Sequence, residues 1–227
     1  MEKFIIASTT PYIKRVFKFK NTKKRRFIFI KKQKELSIKS VSKIKPKIIF
    51  LPHWNWILKK EIFEKFNCIG FHCTPLPFGR GGSPLQNMII RGREKSTVCA
   101  IKIDYGIDTG PIYLREKISF KGRAEDIMFS LNIAIAKMIL KLSKKLNKPK
   151  KQKGKAYYFK RRKPAMSILP KSSNIKRMYD HVRMLDINLK KFPKAFIRYG
   201  NFKIIFEEPK LFKKKLICKT TFYKKIN

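Results

Sequence analysis

Short apolar runs of four to six residues recur along the first half of the chain, at Lys3–Ala7 (KFIIA), Arg26–Ile30 (RFIFI) and Lys47–Leu51 (KIIFL). They are separated by polar segments long enough for a short helix, and strands alternating with helical segments predict βαβ units and a parallel sheet. Asn67–Phe71 (NCIGF) predicts a further strand that runs straight into His72, and Ser96–Ile103 and Pro111–Phe120 predict two more. Ala124–Leu146 has apolar positions at helical spacing and basic residues crowding its C-terminal end, which predicts a long amphipathic helix.

The pattern changes after that helix. Asn147–Lys155 (NKPKKQKGK) has nothing to bury and reads as a linker or exposed crossing. The remainder, with KAFIRYG, NFKIIFEE and KLICKTTFY, reads as short strands joined by turns. The expected architecture is α/β: a Rossmann-like domain with a mainly parallel sheet over residues 1–150, then a linker and small β-rich C-terminal region over 151–227. A chain of 227 residues can bury a core of this kind.

Composition changes the picture little. Lys and Arg number 57 against 14 Asp and Glu, a formal net charge of +43, but the excess is spread through almost every segment. An unclustered excess produces a field that salt screens within about 8 Å, so either compositional drift or a polyanionic partner accounts for it. The four cysteines form no C-x-x-C pair and, with three histidines, no zinc spacing, so no metal is expected. No apolar run reaches the ~18 residues that span a bilayer, and MEKFIIASTTPY is too short in its apolar part for a signal peptide. A cytoplasmic protein with reduced thiols and no membrane association is expected.

Chemistry concentrates in two stretches. Phe71–Asn87 (FHCTPLPFGRGGSPLQN) carries one Arg in a lysine-rich chain, and its glycines and prolines predict that Thr74–Ser83 is a loop leaving the C-terminal end of a parallel strand, where α/β sheets place ligands. It has neither the Walker spacing nor the dinucleotide fingerprint. Ile101–Leu114 (IKIDYGIDTGPIYL) places two acids, Asp104 and Asp108, four apart around a turn. Such acids either cap their own turn or serve chemistry.

Together these stretches resemble the family of formyltransferases that use 10-formyltetrahydrofolate, in which a strand ends in Asn-x-His, a Pro/Ser-rich loop leads to Arg-Gly and Pro, and an Asp-x-Gly turn follows. His72, the loop CTPLPFGRGGSP and the IDTGP turn match in order and spacing. Phe50–Leu58 (FLPHWNWIL) is similar to the family's folate-contacting loop, and Arg183–Phe206 to the start of its C-terminal domain. The resemblance implies 10-formyltetrahydrofolate as co-substrate and transfer of its formyl group to a primary amine. It implies His72 and Asp108 as catalytic residues, with His72 taking the proton and Asp108 holding the imidazole or an ordered water. Trp54, Trp56, Ile57, Leu58, Asp104 and Asp108 would contact the folate, although both tryptophans also fit a core. Thr74, Arg80, Gly81, Asn87, Arg161 and Arg162 would contact the acceptor.

One family feature is missing, because the Asn two residues before the His falls on Gly70. Its amide helps hold the formyl oxygen, and loss of such a donor costs roughly 100- to 1000-fold. Asn87, Thr74 or a backbone N–H of the glycine-rich loop are the substitutes to consider. Tyr158–Pro164 (YFKRRKP) resembles nucleotide-sugar N-formyltransferases, and its arginine pair could grip a diphosphate. The expected acceptor is therefore a nucleotide-linked amino sugar, with initiator methionyl-tRNA as the alternative and a catalytically silent basic binding protein as a third reading. The resemblance is compatible with a homodimer.

Overall fold

The computed structural model describes residues 1–16, 18–172, 174–189 and 193–224. The chain divides into two compact units, each built from separated segments: Met1–Arg80, Thr97–Ile118 and Phe129–Tyr158 in the first, and Gly81–Ser96, Ser119–Met128 and Phe159–Asn227 in the second.

The first unit carries a six-stranded sheet ordered β2-β1-β3-β4-β6-β7. Its strands are β1 (Glu2–Ala7), β2 (Arg25–Ile30), β3 (Ile48–Leu51), β4 (Cys68–His72), β6 (Lys95–Lys102) and β7 (Ile112–Ser119). Strands β2, β1, β3 and β4 run parallel, and β6 pairs antiparallel with β4. Parallel strands are covered on both faces, which is why their sequences are continuously apolar. On one face Phe4 stacks between Phe27 and Phe50 at 5.4 and 6.3 Å. On the other, Ile5, Ala7, Ile49 and Leu51 pack with Val41 of α2 (Ile38–Ile44) and Ile62 of α3 (Lys60–Lys65). A short helix, α1 (Tyr12–Val16), follows β1.

The expected strands all form, within a residue or two of their predicted ends except for β10, which runs three residues beyond Glu208 to Leu211. The long helix forms as α5, Ala124–Lys144. Two expectations are corrected. The segment Thr74–Ser83 is not wholly loop: Phe78–Gly81 forms strand β5, paired with β8, Tyr157–Phe159. No local pattern announces a strand of four residues containing two glycines; its partner lies more than 70 residues away. The lysine-rich crossing Asn147–Lys155 is not free of contacts either. Lys150 exchanges both backbone hydrogen bonds with Ile112, at 2.7 and 2.9 Å.

In the second unit, β9 (Ala195–Tyr199), β10 (Phe202–Leu211) and β11 (Leu216–Lys224) form an antiparallel sheet ordered β11-β10-β9. Two helices join it, α4 (Pro84–Ile89) and α6 (Ile175–Arg183), the latter capped by Asn174, whose side chain accepts from the Arg177 N–H at 3.0 Å. The α6 helix ends on a buried Arg183 that donates to Asp180 at 2.6 Å and to the carbonyls of Phe120 and Gly122 at 2.7 and 2.8 Å. A buried guanidinium needs such a full set of partners. Of the stretch Arg183–Phe206, residues 190–192 lie outside the described residues.

Candidate active site

Strand β4 delivers His72 to its C-terminal end with the ring buried. Its Nε2 lies 2.7 Å from the Gly79 carbonyl oxygen, which also accepts from Thr74 Oγ1 at 3.3 Å. A carbonyl only accepts, so Nε2 carries the hydrogen. Nδ1 then points the other way, 3.4 Å from Oδ2 of Asp108. Asp108 sits at the turn after β6 with φ 54°, and its side chain is 24% exposed, giving a proton at this pair a path to water. The two residues singled out as catalytic are thus brought together.

The neighbouring thiol, Cys73, is not set up for nucleophilic chemistry. Burial pushes Cys73 up to about 12, with the Asp108 charge adding to the effect, so the thiol stays protonated and is a poor nucleophile.

Gly70 and His72 share one face of β4, since they are two residues apart. A Cβ on Gly70 would come within 2.8 Å of Ile103 Cδ1 and 3.7 Å of Ile101 Cγ1. The space beside the imidazole is therefore occupied by isoleucine, and a side chain at 70 requires Ile103 to move. Two of the substitute donors are already engaged. The Thr74 hydroxyl bonds Gly79 O, and the Asn87 amide donates to Gly82 O at 3.0 Å and Lys160 O at 3.1 Å while its own oxygen accepts from Arg91 at 3.1 Å. The Gly82 N–H donates to Phe159 O at 3.0 Å.

The remaining candidates from the two stretches have defined places. Asp104 caps its own turn, accepting from Thr109 Oγ1 at 2.6 Å and Gly106 N–H at 3.2 Å. Arg80 donates to the Gln152 side chain at 2.8 and 3.2 Å and to Tyr158 OH at 3.0 Å. Gly81 has φ 94° and no room for a Cβ, which would lie 2.7 Å from Phe159 O. Arg161 presses its backbone against Gly82, and Arg162 donates from its backbone to Ser83 Oγ at 3.1 Å and from Nη2 to Met166 O at 2.6 Å. Desolvation lowers the Arg162 pKa from its ordinary value.

Trp54, Ile57 and Leu58, with Leu36, Lys34 and Lys59, line a groove of about 270 Å³. Trp56 meets Trp54 edge-on, centroids 4.9 Å apart. Leu58 is buried, whereas Ile57 is 95% exposed, and Tyr105 and Ile107 on the Asp108 turn are exposed as well. Exposed large apolar side chains on the loop after β3 and the turn after β6 suit a planar ligand that would cover them. Among the described residues, no group of three or more His, Cys, Asp and Glu is arranged to hold a metal ion, and no helix is long and apolar enough to cross a membrane.

Sequence reasoning missed three contributors. Gln152 was hidden in a lysine-rich run; an amide flanked by ammonium groups was the available signal. His53 follows β3 at φ 53° and its Nε2 is 3.0 Å from Asn132 Oδ1. Its carbonyl accepts from Thr9 Oγ1 at 2.6 Å, joining two loops at the same end of the sheet. Burial lowers its pKa to about 4. Ile103, the residue that fills the space at Gly70, carried no signal at all.

Known proteins place this arrangement. Residues 9–131 match the family model described as formyl transferase, and residues 164–223 match that of the methionyl-tRNA formyltransferase C-terminal domain. A solved methionyl-tRNA formyltransferase from Clostridium thermocellum is 40% identical and superposes with a TM-score of 0.94 over 99% of this chain and 100% of its own. A curated methionyl-tRNA formyltransferase from Clostridium botulinum (strain Alaska E43 / Type E3) is 30% identical over 198 residues, 84% of this chain, and the chain spans 61% of that relative's length. A 4-N formyltransferase from Francisella tularensis, at 15% identity and TM-score 0.65 over 88% of this chain and 93% of its own, shares the fold. With one family model covering more than half of its residues and a solved relative matched along its whole length, the chain belongs to the formyl transferase family.

Proposed function

We propose that this chain transfers a formyl group from 10-formyltetrahydrofolate to a primary amine, and that the amine is that of methionine carried by initiator tRNA. The observation that carries the transfer is the approach, at 3.4 Å, of the buried His72 imidazole to the partly exposed Asp108 carboxylate, on a turn that also carries the exposed Tyr105 and Ile107. The acceptor rests on residues 164–223, which match a methionyl-tRNA formyltransferase C-terminal domain, and on the relative at 40% identity. On this reading residues 1–150 carry the transfer, residues 151–227 meet the acceptor, and the net charge of +43 favours a polyanion.

The amino-sugar expectation leaned on Arg161 and Arg162. Arg162 spends Nη2 on a backbone carbonyl and is partly desolvated, which suits holding the chain more than gripping a diphosphate. The Francisella tularensis 4-N formyltransferase is alike in fold alone.

In the mechanism we infer, the acceptor amine attacks the formyl carbon and gives up a proton as the new C–N bond forms; the bond from that carbon to the folate nitrogen then breaks, and the proton passes to that nitrogen as tetrahydrofolate leaves. With Nε2–H committed to Gly79 O, the atom able to take that proton is His72 Nδ1. The imidazolium that results carries its new hydrogen on the nitrogen that faces the Asp108 carboxylate, and the opposite charge stabilises it. The formyl oxygen receives no amide from position 70, so the charge it develops falls to the imidazolium.

The test is to incubate the protein with 10-formyltetrahydrofolate and, in parallel, methionylated initiator tRNA or nucleotide-linked amino sugars, reading the mass gain of the acceptor. Formylation of the tRNA that disappears in His72→Ala supports the proposal; transfer to a sugar alone would overturn the acceptor. Salt-sensitive tRNA binding with no transfer to either would instead favour a silent binding protein, the reading that Ile103 against Gly70 supports.

A further inference from the structure

Gln152 uses every hydrogen-bonding site of its side chain, and it uses them around Asp108. An amide offers two N–H donors and two acceptor lone pairs. Here Nε2 donates to the carbonyl oxygens of Asp108 at 2.8 Å and Gly110 at 2.9 Å, and Oε1 accepts from Arg80 Nη2 at 2.8 Å and Nε at 3.2 Å. Neither a carboxylate nor an ammonium does both. Glutamate would press a carboxylate on two carbonyls with nothing to donate, and lysine would have nothing to accept with.

The turn it grips needs holding. Asp108 is a non-glycine residue at φ 54°, a conformation that persists only where its surroundings over-determine it. Gly110 already lies so close to the end of β6 that a Cβ would overlap Lys102 O. From inside, Thr109 bonds Asp104 at 2.6 Å. Gln152 adds two donors from outside the turn, and its own backbone is anchored two residues earlier by the paired bonds between Lys150 and Ile112.

We propose that Gln152 is a positioning residue: by clamping the carbonyls of Asp108 and Gly110 to Arg80, it keeps the Asp108 carboxylate in line with His72 Nδ1. The proposal rests on the formyl-transfer reading and adds to it a residue that does not touch the reacting atoms. Gln152→Glu separates the two halves of the clamp, because it keeps the acceptor for Arg80 and removes both donors to the turn.

The experiment compares wild type, Gln152→Ala and Gln152→Glu for formyl transfer, melting temperature and amide hydrogen exchange over residues 104–110. The expected result is a kcat lowered between about tenfold and 100-fold in both variants, with KM for donor and acceptor within about twofold, as a small misplacement of a catalytic group produces. The melting temperature should hold, and exchange should accelerate at the turn alone. Wild-type kcat in Gln152→Glu with loss only in Gln152→Ala would overturn the proposal, since Gln152 would then serve Arg80. A raised KM at unchanged kcat, or a loss of activity that follows a fall in melting temperature, would overturn it too. If wild type transfers no formyl group, the functional reading fails separately, and unchanged exchange at residues 104–110 in both variants still overturns the clamp.

Discussion

The His72–Asp108 turn and the Asn87 junction are both rich in glycine and polar side chains, and both carry residues expected to touch substrate. They use those side chains differently. At the turn, Nδ1 of a buried imidazole faces a partly exposed carboxylate. At the junction, the Asn87 amide and the Gly82 N–H are bonded to backbone carbonyls and the Arg162 N–H to Ser83 Oγ, and they hold Gly82–Ser83 against Phe159–Arg162, while the Arg162 guanidinium is spent on the Met166 carbonyl. A polar residue's promise for chemistry lies less in its type than in where its hydrogen bonds already go.

The strongest way to break this contrast is at His72. His72→Ala should lower kcat for formyl transfer by about 1000-fold, within the range for a lost general base, with urea stability little changed. A variant within a few-fold of wild type would remove the turn from the mechanism.

A third polar site, His53, tests whether burial alone marks chemistry. Its pKa of about 4 in the folded protein lies below the ordinary 6.5, so the unfolded chain binds the extra proton between those values. Stability from His53 is therefore complete above pH 6.5 and is lost as pH falls toward 4, by at most about 3 kcal/mol because part of the residue remains in water. His181, lowered by burial too, acts in the same direction. Urea titrations across this range should be steeper for wild type than for His53→Gln; parallel curves would refute the assignment.

Asn87→Ala should behave in the opposite way to His72→Ala. Leaving the carbonyls of Gly82 and Lys160 without their donor should cost about 2 kcal/mol in denaturant unfolding, while kcat per folded molecule stays within about threefold. A large loss of kcat at unchanged stability would return Asn87 to the acceptor site.

The finest test sits inside the turn region itself. Gly70→Asn alone collides with Ile103 and should destabilise the protein by about 1–3 kcal/mol through overpacking. In an Ile103→Ala background, the same substitution should raise kcat about tenfold over Ile103→Ala alone, part of the range an oxyanion donor contributes. No gain would mean that another group already holds the oxygen.

Much of the fold was legible because its signals are local. Strands buried on both faces must be apolar throughout, so β1 to β4 stand out as runs, and α5 declares itself by its 3.6-residue period. Short elements with weak patterns were not legible: α3, α4 and α6 carry too few turns for a period to stand out, and β5 exists because β8 pairs with it. At the site, His72 and Asp108 could be named from motif order and a capping role for Asp104 was one of two readings, whereas the roles of Asn87 and Arg162 in holding backbone could not be read.

The sequence by itself determined the alternation of strands and helices, the long helix, and the His-loop-Asp order that points to formyl transfer. Only the tertiary structure decided that Ile103 fills the space beside Gly70, that Nε2 of His72 is committed to Gly79, and that Gln152 grips the Asp108 turn. The reason is physical. Periodicity and turn chemistry are set by neighbours along the chain, but the partner of a polar side chain is whichever backbone group folding brings near and leaves unpaired, and that group is commonly dozens of residues away.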